Sequence, residues 1–308
     1  MSSASASAPG GRERGIALLV VIWVLALLAV LIVGFSGDAR TELLVARNHY
    51  ESAGARAIAD AGVSLAIFGI LDPAPEAQWP ADGRLREVSY ADGTIRIRIQ
   101  DEGGKIDLNA APPELLAGLL STTGGLSAGD AGGLAQAIDA YRQALQQTEP
   151  PAGRRGTPRA MIRRQANAFR VIEDLRLVPG VTREIYDRIA PFITVYSGVG
   201  DIDPLTAPPE VLRSLPGVNP SEVEAFLAAR ARQGPIPGQL PPLSGPVGGS
   251  LAHRVLQNAT VISEGKTANG TSFTRAAVVS LSADPTAPYS ILSWRQARRE
   301  PRAEAGGE

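Results

Sequence analysis

The chain has 308 residues, 20% of them charged, with 30 Lys and Arg against 31 Asp and Glu and a formal net charge of −1. So even a balance excludes bulk electrostatic attraction to nucleic acid or to an anionic membrane surface. There is no cysteine, which excludes disulfides, thiolate metal sites and a cysteine nucleophile.

Met1 to Gly11 is small and polar. Behind Arg12, Glu13 and Arg14, the residues Ile16 to Phe35 carry no charge, proline or strongly polar side chain, and about 20 such residues are what a helix needs to cross a bilayer. The two arginines favour a cytoplasmic N-terminus and place the remaining body across the membrane. A secretory signal peptide would have a shorter apolar core and a small-x-small cleavage site, whereas here helical sequence continues. Asp38 to Leu71 contains no proline, and Leu43, Ala46, Tyr50, Ala53, Ala57, Ala61, Leu65 and Phe68 recur in steps of three and four, which defines one helix face. Asp72-Pro73 then stops the helix. The expectation is one helix from about Ile16 to Leu71, roughly 80 Å long at 1.5 Å per residue, half in lipid and half packed on a soluble domain.

A short basic leader, a glycine and an apolar helix with an amphipathic continuation resemble the precursors of type IV pilins and type II secretion pseudopilins. The resemblance implies that a prepilin peptidase cuts after Gly15 and methylates the new N-terminus at Ile16. The chain departs from that family at Val20, the fifth mature residue, where such helices carry a glutamate that pairs with the amine of the neighbouring subunit. An unpaired acid in a membrane helix costs roughly 2.5–3.5 kcal/mol, and a buried pair that loses one partner is strongly destabilised. A subunit with no neighbour ahead of it has no amine to meet, so a valine there points to the tip of an assembly.

In the body, Leu85 to Gln100 alternates through Ile95, Ile97 and Ile99 around Asp92-Gly93, a good type I′ turn pair, and reads as a β-hairpin. Strand signals return from Arg254 to Ala283, with Asn269-Gly270 as a second turn, and Tyr289 to Arg295 adds a final strand. Gly234 to Ser250 is too rich in proline and glycine for regular structure and reads as a linker.

The stretch 105–233 between these strand regions holds an internal repeat. "GKIDLNAAPPELLAGLL" from Gly104 and "GDIDPLTAPPEVLRSLP" from Gly200 match at Gly104/Gly200, Ile106/Ile202, Asp107/Asp203, Ala111/Ala207, Pro112/Pro208, Pro113/Pro209, Glu114/Glu210, Leu116/Leu212 and Leu119/Leu215, each pair 96 residues apart. Proline at the first helical position loses no useful hydrogen bond, and the glutamate behind it favours the positive end of the helix dipole. Each copy therefore reads as a loop leading into a short helix whose leucines turn inward. Pro179-Gly180 and Pro216-Gly217 each sit between two helical segments, and both segments resemble helix-hairpin-helix units. Phosphate binding is disfavoured, because the loops continue as Val181-Thr182 and Val218-Asn219 without a second glycine and Glu222 and Glu224 follow the second loop. Arg154, Arg155, Arg159, Arg163 and Arg164 form a basic cluster that reads as a solvated face.

The ordered set, a leader-type helix lacking the acidic fifth residue and a large helical domain inserted into a small sheet, resembles the protein K branch of the type II secretion minor pseudopilins (GspK family), from Arg14 to about Trp294. "DEGGKIDLNAAPPELL" is the stretch most typical of it. The resemblance implies an α+β fold: a pilin-like long N-terminal helix plus a small antiparallel sheet, with an all-helical (SAM-like or helix-hairpin-helix-like) domain inserted between strands. It divides the chain into a leader (1–15), a transmembrane helix (16–37), the stem helix and first hairpin (38–104), the inserted domain (105–233), a linker (234–250), the C-terminal strands (251–296) and a disordered tail (297–308). It implies a single-pass inner-membrane subunit with a periplasmic body that starts or caps the pseudopilus. The implied partners are the other minor pseudopilins, the major pseudopilin, the prepilin peptidase and secreted cargo, with no nucleic acid.

Chemistry is hard to find. His49 and His253 stand without a motif, "EGGK" lacks the leading glycine of a P-loop, and neither G-x-S-x-G nor H-E-x-x-H occurs. Asp101, Glu102, Asp107, Asp201 and Asp203 are the candidates for calcium ligands, but their spacing is not that of an EF-hand and suits capping and turns better. The chain is expected to be no enzyme and to carry no cofactor. The alternative reading is a single-pass membrane protein whose helical hairpins bind DNA.

Overall fold

A computed structural model of the chain describes residues 13–74, 77–91, 93–148, 168–234, 238, 240–243 and 251–297, with 13–16 and 31–41 described in backbone only. The first twelve residues of the leader, Asp92, the basic cluster Arg154 to Arg164, residues 244–250 of the linker and the tail from 298 lie outside the described residues. The elements are α1 (Glu13–Ile70), β1 (Asp82–Tyr90), β2 (Gly93–Asp101), β3 (Ile106–Asp107), α2 (Pro113–Thr122), α3 (Ala128–Thr148), α4 (Arg183–Ile189), β4 (Ile193–Thr194), α5 (Pro209–Arg213), α6 (Pro220–Gln233), β5 (Asn258–Lys266), β6 (Ser272–Leu281) and β7 (Tyr289–Gln296), with a 3₁₀ helix at Ile172–Leu177.

Two compact units divide the chain at residue 54. In the first, the apolar segment Ala17–Val30 of α1 is exposed throughout, Leu19 and Trp23 at 70% each.

In the second unit a five-stranded antiparallel sheet has the order β1-β2-β5-β6-β7. Alternation decides which face is buried: Ile95, Ile97 and Ile99 of β2, Ala259 and Val261 of β5, and Ala277 and Val279 of β6 form one core with Val63, Ala66, Ile67 and Ile70 of α1. Ala55 and Ala59 are also buried. The helix lies close because small residues face it. A Cβ on Gly265 would sit 2.4 Å from the Ala59 nitrogen, and one on Gly62 would sit 2.1 Å from Ser263 Oγ.

This corrects the helix face read from the sequence. Tyr50, Ala53, Ala57 and Phe68 of the predicted stripe are exposed, Tyr50 at 80% and Phe68 at 70%, while Ala61 and Leu65 are half-buried. The sheet takes the side of Ala55, Ala59 and Gly62 because those small residues permit an approach that Phe68 would block.

Between β2 and β5 in the chain, Leu108, Leu115, Leu116, Leu119, Leu120, Phe169, Leu175, Val211 and Leu212 belong to a second core. This body is not helical throughout: β3 and β4 pair in parallel, and Ile202 makes a parallel bridge to Leu251. The first segment of the first hairpin is a 3₁₀ helix. Gly180 (φ 95°) and Gly217 (φ 73°) turn the two hairpins in the left-handed region, where a side chain is strained.

The repeat closes on itself. Gly104 of the first copy lies against Thr206 and Ala207 of the second, and its counterpart Gly200 lies against Ala110, the counterpart of Thr206. At Gly118 an added Cβ would meet the carbonyl oxygen of Ser214, its own counterpart, at 2.1 Å. The contacts are reciprocal, as across a local twofold axis.

Candidate functional site

Gly15 and Ile16 lie in the first turn of α1, and Val20 is exposed at 55% within the apolar segment. Glu42–Ile70 is also long and apolar, but it contains Glu42, Arg47, Glu51, Arg56 and Asp60, and from Ala55 onward one side is buried against the sheet. From Ala55 onward α1 packs on the sheet, while Ala17–Val30 is a shorter apolar stretch exposed along its length.

Of the acidic residues, Asp101 and Glu102 lie where β2 runs into the helical body. Asp107 and Asp203 play the same part in the two copies of the repeat. Asp107 Oδ1 accepts from the Asn109 amide at 2.7 Å and Oδ2 from the Gly198 amide at 2.8 Å. Asp203 Oδ1 accepts from the Leu205 amide at 2.9 Å and Oδ2 from the Arg254 amide at 3.1 Å. A second side chain joins each Oδ2: Ser197 Oγ at 3.0 Å on Asp107 and His253 Nδ1 at 2.8 Å on Asp203. Each carboxylate thus closes its own turn and pins a later loop segment to it. Asp201 is paired with Arg254 at 2.6 Å.

Glu102, 2% exposed, is the tie between the layers. Its Oε1 accepts from Lys105 Nζ at 2.6 Å and Thr260 Oγ1 at 2.7 Å, and its Oε2 accepts from Thr194 Oγ1. Next to it, Asp101 accepts from the Gly103 amide at 2.8 Å and from Thr206 Oγ1 at 2.9 Å. Burial pushes the Asp101 carboxyl up to about 6, against the pull of those two donors, with Asp203 and Glu102 adding to the rise. Burial also raises the Asp107 carboxyl.

These carboxylates do not fit a calcium cage. Their oxygens are taken by amides, hydroxyls and cations, and among the described residues no three or more His, Asp or Glu side chains are placed to share a metal. His49 is exposed on α1. A cleft of about 490 Å³ between sheet and body is lined by both signs of charge, with Arg98, Lys105 and Arg295 beside Glu102, Glu173 and Glu210. Beside the hairpin loops, Arg183 and Arg188 meet Asp187 and Glu184, and Arg213 meets Glu224, which leaves them poorly disposed toward phosphate. The sequence had offered the acids singly. Their partners, Thr194, Thr260, Thr206 and His253, lie up to 158 positions away and carry no local signal.

Comparison with known proteins fits this geometry. Residues 98–198, from β2 to just beyond β4, match the family model described as type II secretion system (T2SS), protein K. The fold is similar to that of a chain in the crystal structure of the GspK–GspI–GspJ complex from the enterotoxigenic Escherichia coli type 2 secretion system. The TM-score is 0.50 at 16% identity, over 85% of this chain and 100% of that one. Comparison with curated proteins gives no match. The resemblance to protein K and the mixture of helix with antiparallel sheet, both read from the sequence, are borne out.

Proposed function

We propose that this chain, with its protein K segment at 98–198, is a minor pseudopilin at the tip of a type II secretion pseudopilus. It joins other minor pseudopilins to start or cap the filament that exports folded proteins. The match of 98–198 to protein K carries the reading. The likeness to a chain of a three-subunit complex supports other minor pseudopilins as partners. The tip position is supported by Val20, since a helix with nothing ahead of it gains nothing from a buried acid. The exposed side chains of α1 at Tyr50, Ala53, Ala57 and Phe68 suit packing among neighbouring helices. On this reading the chain is anchored in the inner membrane through Ile16 to Phe35, its body is periplasmic, and it has neither catalytic activity nor a resident cofactor.

The test is the intact mass of the N-terminal peptide after expression with and without a prepilin peptidase. Maturation to a methylated Ile16 is the expected result. An unprocessed Met1 chain in both cultures would sink the pseudopilin reading and return attention to the hairpins and DNA.

A further inference from the structure

The sheet has two edges, and they are built differently. Edge strands display a row of unpaired amides and carbonyls, which proteins blunt with charges and bulges. β1 follows that rule: Asp82, Arg84, Arg86 and Glu87 line it, three of these four charges are paired, and its register shifts between Asp82 and Leu85. β7 also has a register shift, with Ser293 opposite Val278 and Ile291 opposite Val279, but it differs in charge: it reads Tyr-Ser-Ile-Leu-Ser-Trp-Arg-Gln, with Arg295 its one charge. Tyr289, Ile291, Leu292 and Trp294 are all exposed, at 43–49%.

The backbone of β7 completes the picture. Ala297 donates to the Thr274 carbonyl and Ser282 to that of Pro288. Alternation along an antiparallel ladder then turns the amides and carbonyls of Tyr289, Ile291 and Trp294 away from β6. The same three residues stand opposite Leu281, Val279 and Ala277, on the side of the sheet that α1 covers further in. Outward backbone groups and an uncovered apolar strip therefore coincide. Beside the strip, Arg56 of α1 stacks on Phe273 at 5.1 Å and meets no carboxylate among the described residues, while Arg275 stacks between Phe273 and Trp294 and is already paired with Asp60.

We propose that the edge of β7, unpaired among the described residues, docks an extended segment of a neighbouring minor pseudopilin, which adds to the sheet as a sixth strand. The identity of the partner rests on the function proposed above; the kind of segment rests on the edge itself. A helix keeps its amides for its own carbonyls and leaves those of Ile291 and Trp294 unmet, whereas a strand satisfies them. Apolar side chains at alternate positions of that segment cover Tyr289, Ile291 and Trp294, and a carboxylate beside them meets Arg56.

The test uses the full-length chain in cells that also express its cognate minor pseudopilins, with a photo-crosslinking amino acid placed at Tyr289. The expected result is a crosslink to one of those subunits, mapping to an extended stretch with apolar alternation and a nearby acid. Ile291→Pro removes one outward amide and leaves the pairing with β6 intact. It should cut the crosslink roughly tenfold, the effect of one hydrogen bond left unmade, whereas Ile291→Ala keeps the amide and should cut it less. Equal loss in both variants, a crosslink to a second copy of this chain, or no crosslink while the subunits still co-isolate would each overturn the proposal and leave the function standing. Failure to co-isolate with any minor pseudopilin would overturn both. If Ile291→Pro does not fold, the crosslinker at Tyr289 in the otherwise unaltered chain decides alone.

Discussion

Gly118→Ala tests the twofold crossing of the repeat. The new methyl carbon would stand 2.1 Å from the Ser214 carbonyl oxygen, where ordinary contact begins near 3.4 Å. Relief needs a movement of more than 1 Å between backbones, because the obstacle is a main-chain atom and not the end of a flexible side chain. Val211 and Leu212, fully buried on α5, and Leu115, Leu116 and Leu119 on α2 resist that movement. Overpacking of this kind costs typically 1–3 kcal/mol, and the upper end applies here. Alanine recovers about 1 kcal/mol through helix propensity, so the net loss is about 2 kcal/mol. In a unit of this size that corresponds to a Tm lower by roughly 4–8 °C. Gly132→Ala in α3 is the matched control, since nothing lies within 4 Å of its added Cβ. There the propensity gain stands alone, and Tm should rise by roughly 2–4 °C. Thermal melts of the full-length proteins in detergent, followed by near-UV circular dichroism, read both. If Gly118→Ala melts at or above the wild-type temperature, the close crossing and the reasoning from it are wrong.

Three further outcomes are expected. Asp101 has its folded pKa raised to about 6, so its contribution to stability is fully present below the unfolded value of about 3.9 and is lost as pH rises through 6. Asp101→Asn should therefore gain up to about 2 kcal/mol at pH 7.5 and flatten the fall in Tm between pH 5 and pH 7.5, as a pH series of melts would read. Glu102→Ala leaves Lys105, Thr194 and Thr260 facing a void and should cost about 3–5 kcal/mol, while Glu102→Gln should cost less; equal melts for the two would refute the tie. Val20→Glu places an acid in the apolar segment and should impair pseudopilus initiation and secretion, and unimpaired secretion would remove the electrostatic argument for valine.

What was legible in the sequence was local. Alternation at Ile95, Ile97 and Ile99 and the Asn269-Gly270 turn announced strands that pair as expected, because the period and the turn chemistry lie within a few residues. The Pro-Pro-Glu helix starts of the repeat appear at Pro113 and Pro209 for the same reason. The stem misled, because both sides of α1 are apolar and helical spacing alone does not tell which one a sheet will choose. Size decided it: Ala55, Ala59 and Gly62 admit β5 where Phe68 would not. The buried tie at Glu102 was beyond reach, since it is assembled from Thr194 and Thr260, which nothing local links to it.

The reciprocal packing of the two repeat copies bears on how the body comes apart. Repeats stacked in a row can fray from one end, because each terminal copy has one free side. Here Gly104 needs the second copy's backbone as its wall and Gly200 needs the first's, so opening either copy strips the other. The pair has no end from which to fray. Hydrogen exchange should show the amides around Asp107 and Asp203 opening together, as one cooperative unit.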